Sequence, residues 1–276
     1  MAWMRMLKMN GAGNAFVILD ARAQGAAGLT GDQARALADP AAHGGADQVI
    51  ALERSDRADV FMRIWNASGE EVSACGNGTR AVGWILIDEG KPKVTIETRA
   101  GILRAESAGG AQVTVDMGSP LLKWEEIPLA RAMDTVRMDY AIDHAGVRLA
   151  APGAANMGNP HVVFFVDDME ALPIRAIGPI VEHDSLFPER ANVGFCQVRA
   201  RDRMRLRVWE RGAGLTKACG TGACAAVVAA HRRGLVDRAC TVTVDGGVLE
   251  IDWRATDDRV RMTGPVELER VGEVAL

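Results

Sequence analysis

Apolar and polar positions along this chain fall into two kinds of run. Short stretches at 15–19, 94–98, 113–116, 162–166, 205–209 and 241–244 are β-branched and alternating, which predicts strands. Asp245-Gly246 lies between the last of these and another such stretch at 248–253, a spacing that predicts a hairpin. Two other runs, 80–87 and 223–230, are apolar nearly all round and predict helices with no solvent face. Each is expected to be buried with strands wrapped around it. Gly90 and Gly234 are the natural C-terminal stops.

The two helical runs belong to a longer repeat. Ala74-Cys75-Gly76-Asn77-Gly78 returns 144 residues later as Ala218-Cys219-Gly220-Thr221-Gly222. At the same offset Arg63-Ile64-Trp65-Asn66 meets Arg207-Val208-Trp209-Glu210, and Gln48-Val49 meets Asn192-Val193. Gly13-Asn14 resembles Gly158-Asn159 at 145, and Gly101-Ile102-Leu103 resembles Gly247-Val248-Leu249 at 146. Matches with so little drift predict duplication of an ancestral half. The expected fold is α+β, with two pseudo-symmetric domains from an internal duplication. Residues 1–119 would carry Cys75 and residues 120–264 Cys219, with the hinge near Ser119-Pro120. Residues 265–276 are expected to rejoin the first half, although no pattern reads that return.

Composition and charge mainly exclude. The 276 residues are 48% hydrophobic and 25% charged, ordinary for a globular chain. The formal charge of −4 leaves no basic footprint for nucleic acid or an anionic membrane. Residues 1–10 lack an apolar signal core and no apolar run approaches a membrane span, so a cytoplasmic location is expected. The five cysteines include no Cys-x-x-Cys and no histidine at zinc-finger spacing. They are read as thiols, with no metal site expected. Cys196, Cys224 and Cys240 lack the repeated context and read as core residues.

Cys75 and Cys219 are different, because each stands at a predicted helix start before Gly-x-Gly. Unpaired N–H groups and the partial positive charge at such a terminus favour thiolate and offer a seat for a carboxylate. Two such sites, one per half, suit inversion of a stereocentre. A thiolate takes the α-proton from one face, and a thiol returns a proton to the other. The helix termini would stabilise the charge that develops on the carboxylate. This chemistry needs no cofactor, and no lysine motif for pyridoxal phosphate is evident.

At these residues the sequence resembles the diaminopimelate epimerase family over nearly its whole length. The resemblance rests on Met9-Asn10-Gly11-Ala12-Gly13-Asn14, Gly45-Ala46-Asp47-Gln48, Asn66, Cys75-Gly76-Asn77-Gly78-Thr79-Arg80, Met157-Gly158-Asn159-Pro160-His161, Glu189-Arg190-Ala191-Asn192 and Trp209-Glu210-Arg211-Gly212, followed by the second cysteine string. It implies interconversion of LL- and meso-diaminopimelate, in lysine and cell-wall precursor synthesis, by a cofactor-free homodimer with its active site in the cleft between the two halves of the chain. By position, Cys75 and Cys219 would be the two bases. Asn14, Gln48, Asn66, Gly76, Asn77, Asn159, Asn192, Glu210, Arg211, Gly220 and Thr221 would contact substrate. His161 and Glu210 would tune the cysteine protonation states. Arg211 suits a carboxylate, which it can bind bidentately. Ala15 and Leu215 depart from the family's pattern near the site.

Three other readings stay open at this point. A racemase of the same architecture acting on proline or hydroxyproline would leave Arg211 without its second carboxylate. A thiol redox protein could cycle a Cys75–Cys219 disulfide, against which stands the lack of Cys-x-x-Cys. A binding protein would have no need of both cysteines.

Overall fold

The structure is a computed structural model that describes residues 3–24, 27–73, 75–144 and 146–275. Ala74, quoted in the repeat, and the terminal residues 1, 2 and 276 lie outside the described residues. The chain divides into two compact units, Met1–Asp116 with Thr263–Leu276, and Met117–Met262.

In the first unit, strands Trp3–Gly11 and Asn14–Asp20 form a hairpin. Its two-residue tip, Ala12 (φ 56°) and Gly13 (φ 83°), has the left-handed conformation that a tight hairpin turn demands. Asn14–Asp20 runs parallel to Gln48–Glu53, which pairs antiparallel with Val60–Asn66. That strand runs parallel to Lys93–Thr98, the first of a meander with Gly101–Ser107 and Gln112–Asp116. The last strand, Glu267–Ala275, pairs antiparallel with Trp3–Gly11 on the side away from Asn14–Asp20. Helices α1 (Gly31–Ala38) and α2 (Pro40–His43) follow the first parallel strand, and α3 (Gly76–Asp88) follows Val60–Asn66. As expected from its composition, α3 is buried along most of its length. It packs so closely on the meander that a Cβ on Gly83 would lie 2.8 Å from the Ala105 Cβ.

The second unit repeats this order of pairings. Gly153–Asn156 and Pro160–Phe165 form a hairpin whose tip includes Gly158 (φ 94°). Pro160–Phe165 runs parallel to Asn192–Ala200, which is antiparallel to Arg203–Glu210. That strand runs parallel to Ala239–Val244, which turns through Asp245-Gly246 into Gly247–Trp253, the hairpin read from sequence. Helix α4 (Ile174–Glu182) follows the first parallel strand, and α5 (Gly220–Arg232) is enclosed from Gly222 to Ala230. Both cysteine-led helices have 13 residues and are followed by a glycine with positive φ, Gly90 and Gly234. The fold class is thus α+β in two units, each enclosing one apolar helix.

Candidate active site

Cys75 is the N-cap of α3, with extended backbone (φ −150°, ψ 115°). Its Sγ accepts the Gly78 N–H at 3.3 Å, so a donor left over at the helix start is spent on the sulfur. The second glycine of the motif earns its place sterically: a Cβ on Gly78 would lie 2.9 Å from Ile50 Cδ1 and 3.6 Å from the Cys75 sulfur. Ile50 belongs to the strand that begins with Gln48, so the helix start rests directly on that strand.

The predicted asparagines of this unit are organised by hydrogen bonds with a definite direction. Arg80, fully buried, donates through Nη1 to Asn77 Oδ1 at 2.8 Å. Asn77 Nδ2 faces Asn14 Oδ1 at 3.4 Å, and Asn14 Nδ2 donates to Asp47 Oδ2 at 2.8 Å. A cation at one end and a carboxylate at the other thereby fix which way both amides point. Asp47 also accepts the Ala15 N–H at 2.8 Å, a backbone contact that leaves the Ala15 side chain uninvolved. Gln48 and Asn66 stand opposite each other across an antiparallel pair, with Gln48 Nε2 donating to Asn66 Oδ1 at 3.1 Å. The structure therefore gathers Cys75, Gly76, Asn77 and Asn14 at the start of α3, with Gln48 and Asn66 at the ends of the strands beneath.

In the second unit Cys219 is the N-cap of α5 (φ −124°, ψ 108°), and its Sγ lies 3.6 Å from Thr221 Oγ1. Gly222 repeats the steric logic of Gly78, since a Cβ there would lie 3.0 Å from Val208 Cγ2 and 3.2 Å from the sulfur. The expectation that a helix start lowers the cysteine pKa is corrected for Cys219. Burial, with 4% exposure, and then the nearby Glu210 carboxylate hold its thiol well above the ordinary range. The Thr221 hydroxyl and Gly222 N–H pull the other way and are outweighed. Glu210 accepts from Thr216 Oγ1 at 2.5 Å, which anchors the carboxylate beside the thiol.

Asn192 braces backbone on both sides: Nδ2 donates to Pro160 O at 2.9 Å, and Oδ1 accepts the Arg211 N–H at 3.0 Å. Arg211 Nη1 reaches Glu189 O at 2.8 Å. His161 lies opposite Asn192 on the parallel neighbour strand, and its Nε2 is 2.9 Å from Asn159 Oδ1. Burial, helped by the Arg211 charge, pushes the imidazole down to about 3, so it is neutral at ordinary pH. Asp47, Arg80 and Thr216 support these residues and were not singled out from sequence. Asp47 and Arg80 fall inside the quoted strings, so a signal was present but carried no role.

The sequence profile of the family described as Diaminopimelate epimerase matches residues 6–123 and 153–269. This chain belongs to the diaminopimelate epimerase family. The diaminopimelate epimerase of Phenylobacterium zucineum (strain HLK1) is 56% identical over 269 residues, covering 97% of this chain and 96% of its own. That of Acidiphilium cryptum (strain JF-5) is 53% identical over 269 residues, covering 97% and 95%. Diaminopimelate epimerases are isomerases that work without a cofactor. Among solved structures, a predicted epimerase from Pseudomonas aeruginosa superposes with TM-score 0.69 at 20% identity, covering 99% of each chain. A hydroxyproline epimerase from Agrobacterium vitis does so with TM-score 0.67 at 18% identity, covering 100% of this chain and 92% of that one. These last two likenesses establish the shared fold.

Proposed function

We propose that this protein interconverts LL- and meso-2,6-diaminopimelate, using Cys75 and Cys219 as the two acid–base groups at one α-carbon. One observation carries the reading: in each unit a buried 13-residue helix opens on a cysteine N-cap, with the remaining helix-start N–H groups beside the sulfur. Those groups suit an α-carboxylate that gains charge as the proton leaves. Inversion requires removal and return of the proton on opposite faces, and the proposal gives one face to each sulfur.

Cys219 enters as the thiol, because burial and Glu210 disfavour its thiolate. Cys75, as thiolate, takes the α-proton, and Cys219 then gives its own proton to the other face of the carbanion. Each turnover leaves Cys75 protonated and Cys219 ionised, which is the starting state for the reverse reaction. Neutral His161 adds no positive charge that would favour the Cys219 thiolate. Arg211 binds the carboxylate at the end that does not react, and the side chains of Asn14, Gln48, Asn66, Asn77 and Asn159 supply directed amide contacts. In this reading the protein is a cytoplasmic homodimer serving lysine and peptidoglycan precursor synthesis. Among the described residues no helix is long and apolar enough to cross a membrane.

The test is chiral chromatography of LL-diaminopimelate and, separately, L-proline after incubation with the reduced protein. Conversion of diaminopimelate alone is expected. Cys75→Ala and Cys219→Ala should each lower it by at least about a hundredfold. Conversion of proline instead would retain the chemistry and overturn the substrate.

A further inference from the structure

Glu182 closes α4 and is only 3% exposed, yet it is engaged on both carboxylate oxygens. Its Oε2 accepts the Trp209 indole N–H at 2.7 Å, and its Oε1 accepts the Gly212 backbone N–H at 2.9 Å. These donors stand on either side of Glu210 and Arg211, so one buried carboxylate holds their turn at both ends. Arg190 Nη1 approaches Oε1 to 3.9 Å and His183 Nδ1 approaches Oε2 to 4.0 Å. The indole is also confined by packing, since a Cβ on Gly178 of the same helix would lie 2.4 Å from Trp209 Cγ. Gly212 has φ 75°, a conformation that a free loop would not hold uniquely.

The repeat supplies an internal comparison. At the 144-residue offset Trp209 corresponds to Trp65, Arg211 to Ala67, and Glu182 to Ala38, the buried last residue of α1. In the first half both positions are alanine, so neither the guanidinium of Arg211 nor the carboxylate of Glu182 has a counterpart at its aligned position. A guanidinium that grips a carboxylate bidentately needs a fixed backbone, because binding energy falls away with small displacements.

We infer that Glu182 is a positioning residue that fixes the turn from Trp209 to Gly212 and so sets the grip of Arg211 on the substrate carboxylate remote from the reacting carbon. The inference rests on the function proposed above. Glu210 has a separate anchor in Thr216, so loosening the turn acts on binding more than on the proton transfers.

Steady-state epimerisation of LL-diaminopimelate tests this with Glu182→Ala, Glu182→Gln and the double variant Glu182→Gln/Trp209→Phe. For Glu182→Ala, KM is expected to rise on the order of tenfold while kcat stays within about threefold. Glutamine keeps one acceptor but turns its NH₂ toward the second donor, so Glu182→Gln should be intermediate. Removing the indole N–H in the double variant relieves that conflict, and KM should fall below that of Glu182→Gln alone. Glu182→Gln also carries the test if the alanine variant does not fold. An unchanged KM, or a proportionate loss of active protein with a lowered Tm and no change in KM, would overturn the inference. A wild-type protein inert toward diaminopimelate would instead overturn the proposed function. Amide exchange then reads the clamp by itself, with Gly212 expected to exchange on the order of tenfold faster in Glu182→Gln; no change would sink it.

Discussion

The two cysteines share a local sequence and differ in their surroundings, and the difference is chemical. The repeated Cys-Gly-x-Gly made both legible as helix-start thiols, because that feature is local. The protonation preference of Cys219 was not legible, since burial and the approach of Glu210 from the strand Arg203–Glu210 arise only on folding. Glu210→Gln removes the neighbouring negative charge and should shift alkylation of Cys219 by a small reagent to lower pH. Peptide mapping after timed alkylation across a pH series would show this, and an unmoved profile would count against the assigned electrostatics. His161 makes a second prediction. Its imidazole is neutral when folded down to about pH 3, whereas unfolded histidine protonates near 6.5. Its contribution to stability is therefore complete above 6.5 and is lost as pH falls from there toward 3. Between pH 7 and 5.5 the wild type should lose about 1 kcal/mol that His161→Gln does not lose, as measured by urea unfolding. Asn192 shows the limit of motif reading at this scale. Its position in a family string was plain, but its engagement by Pro160 and Arg211 backbone was visible only in three dimensions.

Among elements, alternating β-branched runs gave the centres of seven strands and missed others, such as Gln48–Glu53, Val60–Asn66 and Asn192–Ala200, and the apolar composition of α3 and α5 gave their burial. The smaller helices escaped for identifiable reasons. Helix α1 carries a capping box, with Thr30 and Gln33 bonding reciprocally, but it is only eight residues long and begins with Gly31. Helix α4 contains Pro179, which in a sequence reads as an interruption. Helix α2 is a single turn. Glycine within the central helices separates packing from chemistry. Gly83→Ala would push a methyl into Ala105 on the strand packed against α3, and Gly222→Ala would push one against Val208 and the Cys219 sulfur. Each should cost roughly 1–3 kcal/mol of stability. Only Gly222→Ala should also lower kcat per folded molecule. Thermal melts paired with active-site-normalised rates would separate the two effects, and equal losses of kcat would refute the distinction.

For the whole molecule, the 144-residue repeat was readable because it runs through several strings rather than one. The place of the last strand was not readable, because most residues of Glu267–Ala275 are exposed and their burial does not alternate. That strand pairs along nearly all of Trp3–Gly11, the first strand of the hairpin that carries Asn14. Deleting residues 267–276 should expose that edge and leave the chain prone to aggregate, which solubility and size-exclusion profiles would report. A soluble, monodisperse, active truncation would contradict this role. Isotope placement distinguishes two separate sulfurs serving one carbon from a single base. The reaction is run in deuterium oxide from LL-diaminopimelate and stopped at low conversion, and both isomers are analysed for α-deuterium by mass spectrometry. Two bases predict deuterium in the meso product and almost none in recovered LL substrate, because the abstracted proton stays on Cys75 while Cys219 delivers one drawn from solvent. Equal deuterium in both isomers from the earliest times would mean that a single exchangeable base serves both faces, and would rule out one sulfur for each face.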